Sequence, residues 1–346
     1  MVFSPGAIAA ETAVPPDLVI LYTGDGQGNI EPTGCCSKIG GLARRATKIK
    51  EFKEKYTPLI LVDTGDFLWK NPRDTVHPIR VEHIHNAFMA IGYDAINIAD
   101  GEIASGDEFI KHFGNNAAMP LVSSNVVASK EGGRTWPPYI IKKTGKLKTA
   151  VIGLASPDLV KNNPDGIFTV SDPVKTLEKY LPEIKAKADI IILLSHLGWD
   201  PSRQMAQTYP DIDIVIVAHD TYPTFDPERI GKTLLVKNSW GGGLLGVIDV
   251  WADPSNRAEK IESRLEVLVT EIQPLPEYAK FETDFKKDAV EYKRKLKERE
   301  TAEKAEQVIE KYKKMTPQQF LEQMKKENRV MTQEDLKKEE SLASPE

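Results

Sequence analysis

The chain has 346 residues, 40% hydrophobic and 28% charged, enough to bury one large core with an appendage. Its net charge of -5 argues against a general binder of nucleic acid or anionic membrane, which presents a basic field, and says nothing against a small phosphorylated substrate. No apolar run reaches the length needed to span a bilayer.

Residues 1–17 form an N-terminal segment in which Ala7-Ile8-Ala9 has the form of a signal-peptidase site, without a charged start. This reads as a signal-peptide remnant or as a disordered terminus; the former predicts export, periplasmic or extracellular. From 18 to 270 short β-rich runs alternate with helical stretches. Strands are predicted at 18–22, 59–62, 95–98, 121–123, 150–154, 190–194, 214–217, 234–236 and 247–251, each rich in Val, Ile and Leu and bounded by Gly, Pro, Asn or Asp. Helices are predicted at 41–55, 80–91 and 173–187. Continuous apolar runs such as 190–194 suit strands buried on both faces. The fold class is therefore layered α/β. After Pro274 and Pro276 the composition turns charged, and 271–346 is predicted to be a helical tail. Phe281, Phe285, Ala289, Tyr292 and Leu296 make an apolar stripe at helical spacing that would dock on the α/β domain, or serve a partner. Thr316-Pro317-Gln318-Gln319 has the form of a capped helix start.

Functional side chains in open α/β folds collect in loops beyond the C-terminal ends of strands. Five such loops carry potential ligands: Asp25-Gly26-Gln27, Asp63-Thr64-Gly65-Asp66, Asp100-Gly101-Glu102, Ser195-His196 and Ala218-His219. A single Asp or His at a strand end is commonly a cap; five in order bring distant residues to one rim.

The order and surroundings of these loops resemble the 5′-nucleotidase branch of the calcineurin-like metallophosphoesterases. The stretches that carry the resemblance are 20–25, Gly40-Gly41-Leu42-Ala43-Arg44, 61–66, 91–95, Ser124-Asn125-Val126, 151–154 and the surroundings of His219. It implies a four-layer α/β/β/α sandwich with a charged C-terminal helical tail. It also implies two metals at the sheet edge that activate the attacking water and neutralise phosphoryl oxygens. Carried over residue by residue, the match is uneven. Gln27 replaces a ligand histidine of the first metal, and Thr221 stands where its last ligand would be. Asp66 matches the bridging aspartate, Asp100 replaces a ligand asparagine, and His196 and His219 match the later histidines. Gly101 stands where the leaving-group histidine belongs, and Ala104 where that histidine's aspartate partner belongs, so no catalytic acid is assigned.

Asp66, Asp100, His196 and His219 are a complete donor set for one divalent transition metal, Zn, Mn or Fe. Asp25, Gln27, Asp66 and Thr221 are a poor set, so a second metal is expected to be weak or absent. Cys35 and Cys36, the only cysteines, lie after the first ligand loop, where some divergent exported relatives, certain of them selenocysteine-containing, carry a Cys-Gly-Cys-like element. They read equally as a redox or soft-metal pair and as inert thiols. His83 and His85, two apart on a helix, point to different faces. Two functions remain open: a divergent metallophosphoesterase with weak or narrowed phosphoester hydrolysis, and a non-catalytic metal- or thiol-dependent redox or binding protein on the same scaffold. If the former holds, returning His at 101, Asp at 104 and His at 27 and 221 is expected to raise the rate on alkyl esters.

Overall fold

The computed structural model describes residues 14–34, 38–69, 71, 73–129, 134–158, 163, 166–219, 226–237, 240–319 and 322–323. Two six-stranded sheets face each other. The first has the order β15-β14-β1-β2-β3-β4 and is built from β1 (Leu18–Thr23), β2 (Leu59–Asp63), β3 (Ala95–Asn97), β4 (Leu121–Val122), β14 (Leu244–Ala252) and β15 (Ala258–Val267). Its strands β1 to β4 run parallel, and β14 and β15 close it antiparallel. The second sheet, β12-β13-β11-β10-β8-β7, uses β7 (Tyr139–Thr144), β8 (Leu147–Ala155), β10 (Ile190–His196), β11 (Ile214–Val217), β12 (Glu228–Ile230) and β13 (Thr233–Lys237). A small third sheet joins β5 (Val126–Ala128), β6 (Arg134–Thr135) and β9 (Phe168–Val170).

Alternation along the strands explains the layers. Ile20, Tyr22, Ile60 and Val62 meet Val151, Ile192, Leu194, Ile214 and Ile216 in one cluster between the sheets. Residues of opposite parity, Ile152, Leu154, Ile191, Leu193 and Val215, pack outward against α5 (Pro173–Lys187) and α6 (Trp199–Thr208) through Leu177, Leu181, Ile184 and Met205. Across the molecule Val19, Leu21 and Leu61 are buried on the face served by α1 (Leu42–Lys55) and α2 (His77–Ile91). The result is the α/β/β/α sandwich that the resemblance implies. Two asparagines fasten the sheets at the edge where strands end. Asn97 Nδ2 donates to the Leu154 carbonyl at 3.0 Å, and Asn125 exchanges bonds of 2.8 and 3.0 Å with Ala155. Only glycine fits at 153, where a Cβ would stand 2.3 Å from Asn97 Oδ1.

The remaining helices are α3 (Asp100–Ser105), α4 (Asp107–Phe109) with a π-turn to Gly114, and α7 (Pro276–Lys313). The chain divides into two compact units between Ala289 and Val290. Within the first, Phe281 and Phe285 of α7 are buried, as the apolar stripe predicts. Ala289 ends that unit, and Tyr292 and Leu296 belong to the second. The Thr316–Gln319 pair forms the reciprocal capping bonds, 3.0 and 3.3 Å. No described helix is long and apolar enough to cross a membrane. Strands β5–β7, β9, β12 and β15 and helices α3, α4 and α6 escape the sequence reading. They are short, or, like β15, alternate with charges on a solvent face.

Candidate metal centre

Every ligand loop sits at the C-terminal end of a strand: Asp25 after β1, Asp66 after β2, Asp100 after β3, His196 closing β10 and His219 after β11. Parallel order in both sheets brings these ends to one rim. Among the described residues five non-glycines have positive φ, and four of them are Asp25, Gln27, Asp66 and His219. Such a conformation costs roughly 1–3 kcal/mol per residue and persists where surroundings over-determine it, typically at functional sites. The loops are tied accordingly. Asp25 N donates to Gly65 O at 3.0 Å, Gln27 N to Asp66 O at 2.8 Å and Gly28 N to Phe67 O at 3.0 Å.

Asp100, His196 and His219 present ligand atoms within 4.8 Å of one another, the one such group among the described residues. His196 Nε2 stands 2.9 Å from Asp100 Oδ1, and His219 Nδ1 lies 3.6 Å from Asp100 Oδ2. Neighbouring ligand atoms of a tetrahedral ion lie about 3.4 Å apart, from bonds of about 2.1 Å. Both ring nitrogens of His196 and Oδ1 of Asp100 are buried and lack a hydrogen-bond partner, despite the short approach. Their alignment suits a shared cation better than a hydrogen bond, so these residues fit a transition-metal ion. Asp25 Oδ1 lies 3.8 Å from His196 Nδ1 and accepts from the His219 amide at 3.4 Å.

The electrostatics agree. Burial pushes the Asp25 carboxyl up to about 6, against the pull of His196. Burial first, then the charge of Asp100, pushes Asp66 well above the usual carboxylate range. Burial also raises Asp100, but the adjoining His196 ring and the charges of His196 and His219 outweigh it and hold this carboxyl below its ordinary value. Burial pulls His196 down, yet Asp100, followed by Asp25 and Asp66, holds it up at about 10. Several buried carboxylates thus converge on one edge with two imidazoles, a field that favours a divalent cation.

Glu102 organises the centre without facing it, a role the sequence reading misses. It is fully buried at the third position of α3. Its Oε2 accepts from the Ala99 and Asp66 amides, both at 2.9 Å, and its Oε1 from Leu68 at 3.0 Å. The capping-box spacing is the available signal. Glu102→Gln points an NH₂ at an N–H donor and is expected to cost about 1–3 kcal/mol. Calorimetry should show a Tm lower by roughly 5 °C. An unchanged Tm would mean that the loop repacks freely.

Behind the rim Thr23 Oγ1 donates to Asp63 Oδ2 at 2.5 Å and meets Tyr93 OH at 3.0 Å, while the buried Arg45 offsets part of the burial cost of Asp63. The Gly241–Gly242 turn lies on the rim, with Gly241 N donating to Asp25 O at 2.6 Å. His83 and His85 do diverge: one meets Asp288 at 3.1 Å, the other Asn116 at 2.8 Å. Thr221, Cys35 and Cys36 lie outside the described residues; Thr33 and Ile39 pair on either side of the cysteines.

Gly101 faces the centre differently from what its sequence position suggests. A Cβ there would lie 2.0 Å from the Leu68 carbonyl oxygen and 2.5 Å from Asp66 Oδ1. Backbone thus fills the space that a side chain at 101 would need.

Parallel strands of two sheets thus bring aspartates and histidines to one rim that fits a metal ion. Residues 18–223 match the calcineurin-like phosphoesterase model, and the chain belongs to that family, in its 5′-nucleotidase-like branch. It is 26% identical over 243 residues to a 2′,3′-cyclic-nucleotide 2′-phosphodiesterase/3′-nucleotidase of Salmonella typhimurium, covering 62% of this chain and 38% of that protein. It is 28% identical over 231 residues to the 5′-nucleotidase of Bos taurus, covering 62% and 40%. The chain therefore spans about two-fifths of the length of these curated relatives. The fold matches a 5′-nucleotidase precursor from Thermus thermophilus with TM-score 0.68, at 20% identity over 79% of this chain and 59% of the other. It also matches a calcineurin-like phosphoesterase from Bacillus subtilis with TM-score 0.66, at 24% identity over 80% and 98%.

Proposed function

We propose that the protein is an exported, metal-dependent phosphoesterase that holds one divalent transition metal and hydrolyses only small phosphate esters whose leaving group needs no proton. The observation that carries this is the pairing of a well-formed Asp100–His196–His219 cluster with a backbone carbonyl in the acid's place. Asp100, His196 and His219 would hold the ion, with Asp66 beside them. The ion when bound supplies Lewis acidity to the phosphoryl oxygens and to the attacking water. The chain's own contribution is positional. Glu102 fixes the loops of Asp66 and Asp100, and Asp25 orients His219 through its amide. No side chain at 101 or 104 can protonate an alkoxide.

The test is a screen of purified, metal-analysed protein on p-nitrophenyl phosphate, bis-p-nitrophenyl phosphate and AMP. Turnover of the nitrophenyl esters alone, abolished in Asp66→Ala, is expected. The filled acid position equally favours a second reading, a non-catalytic metal- or thiol-dependent binding protein on the same scaffold. Absence of turnover on all three esters by protein that retains its metal would select it.

A further inference from the structure

Asp25, Gln27 and Asp66 hold strained backbone, and the bonds that join their two loops tie one to the other without anchoring either. Glu102 anchors the Asp66 loop, and the first loop takes a further anchor from helices outside the rim. Arg80, on α2, donates from Nη1 to the Gly28 carbonyl at 3.1 Å and from Nε to Asp74 Oδ2 at 2.7 Å. Its Cδ lies 3.0 Å from where a Cβ on Gly28 would stand, so the arginine stem packs directly against the residue after Gln27. The guanidinium carbon sits 4.9 Å from the ring centroid of Phe285, a buried residue of α7. The same turns of α7 reach the loop again, where Lys286 pairs with Glu31 at 3.0 Å. They also bind α2, where Asp288 meets His83 at 3.1 Å.

We infer that the first turns of α7 and Arg80 form a strap that sets the geometry of the first ligand loop, with Arg80 as its positioning residue. Arginine is required because one planar fork serves two acceptors while its face stacks on an aromatic ring; lysine offers a point charge. Displacing the loop shifts Gln27 and Asp66, which share a backbone bond, and Asp25, whose carboxylate receives the His219 amide. Coupling is reciprocal, so a cation at the centre tightens α7 docking by the factor by which docking tightens the cation. That second half rests on the metal centre proposed above; the first half does not.

The experiment compares the full chain with Arg80→Lys, Phe285→Ala and a control, Leu181→Ala, which removes a buried side chain on α5 in the opposite outer layer. Amide hydrogen exchange of residues 25–31 in metal-free protein is expected to quicken roughly tenfold in the first two variants and to stay unchanged in the control. Zn²⁺ affinity by chelator competition is expected to fall by roughly the same factor, and Zn²⁺ to slow exchange in 276–289 of the unmodified chain. If Phe285→Ala unfolds, Lys286→Glu should loosen the loop and Glu31→Lys in the same chain should restore it. Unchanged exchange at 25–31 in Arg80→Lys, or equal quickening in Leu181→Ala, overturns the strap. Failure of Zn²⁺ to bind any variant would strike the metal reading alone, since the metal-free exchange data still decide the strap.

Discussion

Purified protein is expected to carry one tightly held transition-metal ion per chain, not two. Asp100, His196 and His219 already stand at coordination spacing, with buried nitrogens and an oxygen that have no other partner. The other position depends on Gln27, an amide donor, together with Asp25, whose carboxyl burial raises to about 6. An amide oxygen binds zinc, manganese or iron far more weakly than imidazole or carboxylate. Changing a residue that only supports a metal ligand already costs about 10–100-fold in affinity, so His196→Ala or His219→Ala should cost at least ~100-fold. Gln27→Ala should change binding little. Elemental analysis with chelator competition reads this directly. Two equivalents released at similar chelator strength would sink it.

Much of this was legible because metal chemistry in this fold is written at strand ends. The apolar runs at 18–22, 59–62 and 190–194 are unmistakable, and each is followed within three residues by an aspartate or histidine. Asp100, His196 and His219 meet as those positions imply. What the sequence hid is what depends on close approach. Nothing in Gly101 announces that the Leu68 carbonyl occupies the space beside it. Glu102 reads as one more acidic residue until its two oxygens are seen collecting three amides. Arg80 looks like a surface charge on a helix, yet its reach to Gly28 and Phe285 spans distances in sequence that no periodicity encodes. Edge strands such as Glu228–Ile230 escape for a simpler reason: three residues, none of them buried, carry no pattern.

The second large effect concerns the leaving group, and here the structure reverses an expectation. From the sequence alone, Gly101→His combined with Ala104→Asp, Gln27→His and Thr221→His would rebuild the acid and the weaker metal position. In the fold, even the first carbon of that histidine would stand 2.0 Å from a backbone oxygen and 2.5 Å from Asp66 Oδ1. The oxygen cannot swing aside as a flexible side chain would, because Leu68 N is held by Glu102 at 3.0 Å and the preceding carbonyl by Gly28 at 3.0 Å. Overpacking of this kind costs about 1–3 kcal/mol, occasionally more, and it falls on a ligand loop. The fourfold variant should therefore melt lower than the parent, bind metal more weakly and leave AMP untouched. In the unmodified chain an alkoxide must leave without its proton, which forfeits about 10²–10⁴-fold. Nitrophenolate needs no proton and escapes that loss. The measurement is a series of phosphate esters of rising leaving-group pKa, assayed with parent and fourfold variant: a steep fall along the series in the parent, and no recovery at its alkyl end in the variant. A shallow series with brisk AMP hydrolysis, lost in Asp66→Ala, would show that another group on this rim delivers the proton. Recovery in the variant would show that the Leu68 carbonyl yields after all.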